Sequence, residues 1–149
     1  PIEEMDDEIN QKIIDLNLTS TIMSCRTFTP QFKEQGYGKI INVSSACDRR
    51  SWPGWSVYSA AKAAVNAFTR CLYTELRPHG IGVMLVVPGG SNTGFQNAAA
   101  GVEDFEWEED LAVRPEHFAD MVYQTCALSR GGVATEIVLY GLAQDVSGY

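Results

Sequence analysis

Tyr58 and Lys62 stand four residues apart in Tyr58-Ser-Ala-Ala-Lys62, a spacing that stacks two side chains on one face of a helix. A phenol titrates near pKa ~10, too high for a base near neutrality, and an ammonium beside it favours the phenolate. At roughly 5 Å and an effective dielectric of ~20 that attraction is about 3 kcal/mol, or about 2 pKa units. The chemistry expected is proton exchange with the oxygen of an alcohol or carbonyl, with Tyr58 made more acidic by Lys62. The same pair fits an ordinary surface helix, so the surrounding elements must decide.

Two apolar runs flank this helix. Gly38-Lys-Ile-Ile-Asn-Val-Ser-Ser45 reads as a strand over Lys39 to Val43 that ends in two hydroxyls, and Ile81-Gly-Val-Met-Leu-Val-Val-Pro-Gly89 reads as a second. Near-continuous apolar character is what a strand covered on both faces requires. In an open parallel sheet the carboxyl ends of strands form the ligand crevice, so Ser44 and Ser45 are well placed for chemistry. The helix from Ser56 to Arg77 is rich in alanine, which permits close approach, and Pro78-His79-Gly80 stops it.

Residues 1 to 32 form one long helical pattern, with Ile9, Ile13, Leu16, Ser20, Met23 and Phe28 at helical spacing and Pro30 and Gly36 marking its end. Asn17-Leu18-Thr19 is a poor helix-forming stretch in its middle. Arg114-Pro115 opens a helix through Ala127, with Phe118, Met121, Val122 and Cys126 inward, and Thr135 to Tyr140 is a third strand. Residues 94 to 113 lack periodicity and read as a lid or binding loop. Trp52 and Trp55, in the loop after Ser45, either form an apolar substrate wall or pack against a neighbouring loop or subunit.

The ordered set of a strand-end serine, a Tyr-x-x-x-Lys helix and a Pro-Gly turn resembles the short-chain dehydrogenase/reductase family, over about Glu3 to Gly141. The resemblance implies four catalytic residues. Ser45, thirteen residues before Tyr58, would hydrogen-bond the reacting oxygen, and Tyr58 would exchange its proton. Lys62 would grip the nicotinamide ribose, and Asn17 would hold a relay water on its backbone carbonyl. It further implies that Pro88, Gly89 and Thr93 hold the nicotinamide carboxamide, that the cofactor is NAD or NADP, and that the substrate is a small alcohol or carbonyl compound. In that family the two long helices, here 3–32 and 56–77, commonly form a homo-oligomer interface. Asp48 departs from the glycine that many relatives carry, which leaves the loop after Ser45 open, and Ala61 replaces a frequent serine.

The pattern amounts to a single α/β domain over residues 1–149: three parallel strands with flanking helices, a partial Rossmann-type, doubly wound sheet. No Gly-x-Gly-x-x-Gly or Gly-x-x-x-Gly-x-Gly turn joins a strand to a helix, so the pyrophosphate-binding βαβ half is not in this sequence. The strand over Lys39 to Val43 is therefore expected to present a bare edge. Either an N-terminal half, a partner or self-association would cover it. The rival to an enzyme is a truncated, non-catalytic relative that acts by association.

Bulk composition narrows the classes. A net charge of −8 disfavours nucleic acid, and much of it lies in the run from Glu103 to Asp110. No apolar run approaches the ~20 residues of a membrane span. Four scattered cysteines, with Cys25, Cys71 and Cys126 read as small core residues, suit a reducing, cytoplasmic setting. His79 and His117 have no clustered partners, so no metal site is expected.

Overall fold

A computed structural model describes residues 2–50, 52–100, 106–129 and 131–145. Its centre is β2 (Ile81–Pro88), flanked by β1 (Gly38–Val43) and β3 (Glu136–Leu139) in the order β1-β2-β3. Both pairings are parallel: Gly38 faces Ile81 and Val43 faces Val86 on one side, and Leu85 faces Glu136 and Pro88 faces Leu139 on the other. The expected α/β architecture is the one observed.

The strand period of two divides β2 between two cores. Ile81 and Val83 pack with Cys25, Ile40, Leu72 and Leu76, while Leu85 and Val87 pack with Val65, Leu18 and Tyr140. Met84 and Val86 point the other way, onto Ile137, Phe118 and Val122. One face is thus covered by α2 (Ser20–Gln35) and α3 (Ser56–Leu76), the other by α5 (Pro115–Cys126). Each fully buried Val or Leu contributes about 1.5–3 kcal/mol through this burial.

The long N-terminal pattern is two helices joined by a widened turn. Asp6 caps α1 (Asp7–Ile14) by accepting from the N–H groups of Glu8 and Ile9 at 2.9 and 3.0 Å. Over Asp15–Thr19 the helix widens, and the Ser20 N–H reaches the Asp15 carbonyl five residues back. Pro30 does not end α2, contrary to the sequence expectation. It sits inside the helix, whose φ its ring already matches, and only Gly36, at φ 70°, turns the chain away.

Three inward assignments are corrected. Cys71 and Cys126 are exposed, whereas Cys25 is buried. Met121 also faces outward, because α5 meets the sheet through the narrower stripe of Phe118 and Val122. Likewise Ile9, Leu16, Met23 and Phe28 are 54, 74, 49 and 57% exposed, since Cys25 and Phe32 supply the inner face of α2.

Candidate active site

The carboxyl ends of β1 and β2 open into a cavity of about 480 Å³, closed by the starts of α3, α4 (Phe95–Ala100) and α5. Ser45, Tyr58, Lys62, Pro88, Gly89 and Thr93 all line it. Six of the seven residues singled out from the sequence therefore meet at one opening. Asn17 is the exception, lying in the widened turn outside the lining. There its side-chain amide donates to the Ile13 carbonyl at 2.9 Å and its own carbonyl accepts from the Thr21 hydroxyl at 3.0 Å.

The end of β1 sets the polar rim. Ser44 is buried, its N–H continues the ladder to the Val86 carbonyl at 2.8 Å, and its hydroxyl lies 2.8 Å from Asp48 Oδ2 and 3.0 Å from the Lys62 carbonyl. Ser45 is fully extended (φ −161°), which turns its hydroxyl to the cavity, where it accepts from the Cys47 N–H at 3.2 Å.

Asp48 was the residue that left this loop open, and it proves to be the knot. Its side chain has no exposed surface. It accepts from Ser44, from Asn66 Nδ2 at 3.0 Å and from Arg49 Nε at 3.2 Å, and Arg49 continues to Glu136 on β3. One carboxylate thus ties the strand end, the helix turn after Lys62 and, through arginine, the third strand. Sequence reading gave it no role; the available signal was an acid followed directly by two arginines, Asp48-Arg49-Arg50, at a strand end.

Tyr58 and Lys62 lie together as the helical spacing requires, with Lys62 Nζ 5.6 Å from the Tyr58 ring centre. The expected acidification of Tyr58 is not found, and this is a correction. Burial pushes the phenol above its ordinary range, hydrogen bonding with Ser45 works the other way, and charge on Cys47 adds to the rise. Burial also holds the Lys62 ammonium below its ordinary value, against the opposing charges of Cys47 and Asp48.

The ammonium is directed elsewhere, donating to the Val43 carbonyl at 3.1 Å. Because the Ser44 N–H points to β2, the carbonyl of the same trans peptide points to the open edge of the sheet. Lys62 therefore caps an edge carbonyl that no strand pairs among the described residues.

At the end of β2, the Gly89 N–H donates to the Leu139 carbonyl at 2.9 Å and the Gly90 N–H to Gln144 Oε1 at 3.1 Å. The Thr93 hydroxyl accepts from the Phe95 N–H at 3.3 Å and keeps its own proton to donate. Part of the segment read as a lid or binding loop, 94–113, is helical, over residues 95–100, and residues 101–105 lie outside the described residues. Trp107 exchanges two hydrogen bonds with the Asn92 side chain, and the Val113 N–H donates to the Gly90 carbonyl at 2.8 Å. A Cβ on Gly90 would come within 2.8 Å of the Trp107 ring, so only glycine lets that ring lie on the turn.

Trp55 meets Tyr58 edge-on at 5.4 Å, and Phe95 lies 5.8 Å from Tyr58 and 6.3 Å from Trp55. Both readings of the loop tryptophans find a contact: Trp52 and Trp55 line the cavity, and Trp55 also packs against Phe95 of a neighbouring segment.

The short chain dehydrogenase family model matches residues 1–103. The 3beta-hydroxysteroid dehydrogenase 1 of Eggerthella lenta is 38% identical over 84 residues, covering 56% of this chain and 32% of that protein. A closed serine dehydrogenase complexed with NADP+ superposes with a TM-score of 0.92 at 24% identity, covering 100% of this chain and 62% of the other. An alcohol dehydrogenase from Thermococcus sibiricus, complexed with 5-hydroxy-NADP, gives 0.82 at 23%, covering 96% and 58%. These superpositions establish the fold. The chain spans 32 to 39% of the length of the first curated relatives it matches. Among the described residues no helix is long and apolar enough to cross a membrane.

Proposed function

Since the chain belongs to the short-chain dehydrogenase family, we propose that it carries the catalytic half of a nicotinamide-dependent oxidoreductase that interconverts an alcohol and a carbonyl compound. The observation that carries this reading is the convergence of Ser45, Tyr58 and Lys62 on one cavity at the carboxyl ends of β1 and β2. The residues present suit the nicotinamide end of a dinucleotide. Val43 and Pro88 offer apolar surface to a flat ring, with the Thr93 hydroxyl and Lys62 ammonium beside it as donors. When bound, NAD or NADP supplies the hydride chemistry.

The chain's own residues handle the oxygen. Ser45 hydrogen-bonds it and stabilises the charge that develops there. Tyr58 gives it a proton in reduction or takes one in oxidation. With its pKa raised, Tyr58 holds its proton at neutral pH, so donation to a carbonyl needs no rearrangement. Abstraction from an alcohol requires the Lys62 ammonium to leave the Val43 carbonyl and turn toward the phenol. Asn17 acts at a distance, by holding a water on its carbonyl in the widened turn.

A second reading is favoured by the open edge of β1, where Val43 is 46% exposed and its carbonyl is capped by Lys62. Here the site becomes competent only when another strand pairs with that edge and releases the lysine, whether from an N-terminal half or a partner. The apolar stripe of Ile9, Leu16, Met23 and Phe28 offers a surface for self-association.

The test is Tyr58→Phe in the protein that turns over an alcohol or ketone. Turnover followed by nicotinamide absorbance should fall by about a hundred- to ten-thousandfold, with dinucleotide affinity nearly unchanged. Undiminished turnover would refute the role given to Tyr58.

A further inference from the structure

The cavity carries more information than its reacting end. All three tryptophans of the chain line it, and Trp55 and Phe95 brace the ring of Tyr58, so the proton-exchanging group stands in an aromatic corner. Among the described lining residues Lys62 is the only charged side chain, and it is directed to the Val43 carbonyl. The neighbouring cations are also engaged. Arg49 is held by Asp48 and Glu136, while Arg50 pairs with Asp145 at 3.3 Å and covers the Trp52 ring at 5.1 Å. A substrate anion entering this corner would lose its hydration and meet only the Lys62 ammonium, already engaged by the Val43 carbonyl and, on the reading above, needed by the nicotinamide and the phenol, whereas an uncharged ring would lose little and gain stacking contacts.

We propose that the substrate is an uncharged secondary alcohol or ketone bearing an aromatic or alicyclic ring, with Trp55 and Phe95 as the residues that select for the ring. This rests on the reading of Tyr58 as the group that meets the substrate oxygen. The ring packs into the angle between Trp55 and Phe95, which sets the carbinol or carbonyl carbon beside Tyr58 and Ser45. The cavity of about 480 Å³ must also admit the nicotinamide, so the substrate is small.

The three indole N–H signals of the chain give a direct readout by nuclear magnetic resonance that needs no cofactor. Titrating the 149-residue chain with 1-phenylethanol, 2-butanol and mandelate separates ring, chain and charge. Saturable shifts are expected for 1-phenylethanol, with an affinity at least about tenfold above that of 2-butanol and of mandelate. Phe95→Ala should weaken 1-phenylethanol roughly two- to tenfold and narrow its advantage over 2-butanol. Mandelate binding as tightly as 1-phenylethanol, 2-butanol doing so, or no saturation by any of the three overturns the inference. Ring-selective binding by the chain, with no turnover of either dinucleotide by the protein whose β1 edge is paired, leaves the inference standing and removes the oxidoreductase reading. Turnover that favours acyclic or anionic alcohols does the reverse.

Discussion

The two walls of the cavity are built on different principles. The wall at the end of β1 is polar and knotted: Ser44, Asp48, Asn66 and Arg49 satisfy one another and tie three elements together. The wall opposite is aromatic and held by packing, with Phe95 45% exposed and touching Tyr58 and Trp55 through ring faces and edges. A buried carboxylate with several donors resists change because each donor would be left unpaired without it. An exposed ring can be exchanged without damage to the fold. The molecule thus separates a knotted part beside Ser45 and Lys62 from an aromatic part that can be exchanged, which on the proposals above would choose what reaches them.

Removing the knot should break this contrast most visibly. Asp48→Ala strands Ser44, Asn66 and Arg49 and is expected to lower the unfolding free energy by about 3 kcal/mol, read by urea denaturation. Asp48→Asn, which keeps an acceptor, should recover part of that loss. A change under ~0.5 kcal/mol for Asp48→Ala would show that the polar wall is no more structural than the aromatic one.

Alkaline pH probes the boundary between the walls. The folded-state pKa of Tyr58 is raised, so its contribution to stability is present below the unfolded value near ~10 and lost as pH rises through the folded value. Tyr58→Phe should therefore flatten the loss of stability above pH ~10 and remove one late component from the phenolate absorbance titration. Lys62 has the opposite sign. Its depressed value means that stability gained above the unfolded lysine pKa is lost as pH falls through the folded one. Lys62→Met is accordingly expected to raise stability at neutral pH, measured by the thermal midpoint.

On the aromatic side, Phe95→Ala should change the unfolding free energy by less than about 1 kcal/mol, because nearly half of that side chain is already in water. Smallest of all should be the effect of thiol labelling. Cys71 and Cys126 should react rapidly with a disulfide reagent, while Cys25, which is buried and whose thiol burial makes less acidic, should react only on unfolding. Equal rates for Cys25 and Cys71 would mean that the face between α2 and the sheet opens readily.

Much of this was legible beforehand. The parallel sheet followed from two apolar runs with an intervening helix, and the shared opening of Ser45, Tyr58 and Lys62 from the family resemblance together with strand ends and helical spacing. The weakness between α1 and α2 followed from Asn17-Leu18-Thr19. Pro30 misled, because a proline inside a helix removes one hydrogen bond without necessarily stopping the chain. Cys71, Met121 and Cys126 misled because apolar composition does not say how wide a stripe the sheet covers.

Sequence alone determined which residues share a strand or a helix face, since backbone periodicities of two and 3.6 act over a few positions. Tertiary structure decided the rest. It set Asn66 and Ser44 on one carboxylate, sent the Lys62 ammonium to an edge carbonyl instead of the phenol, and brought Phe95 and Trp107 over a cavity that begins at Ser45. Those outcomes depend on burial and on contacts between residues distant in the chain. Desolvation, which reversed the expected shift of Tyr58, exists only once the surrounding elements have closed around the group.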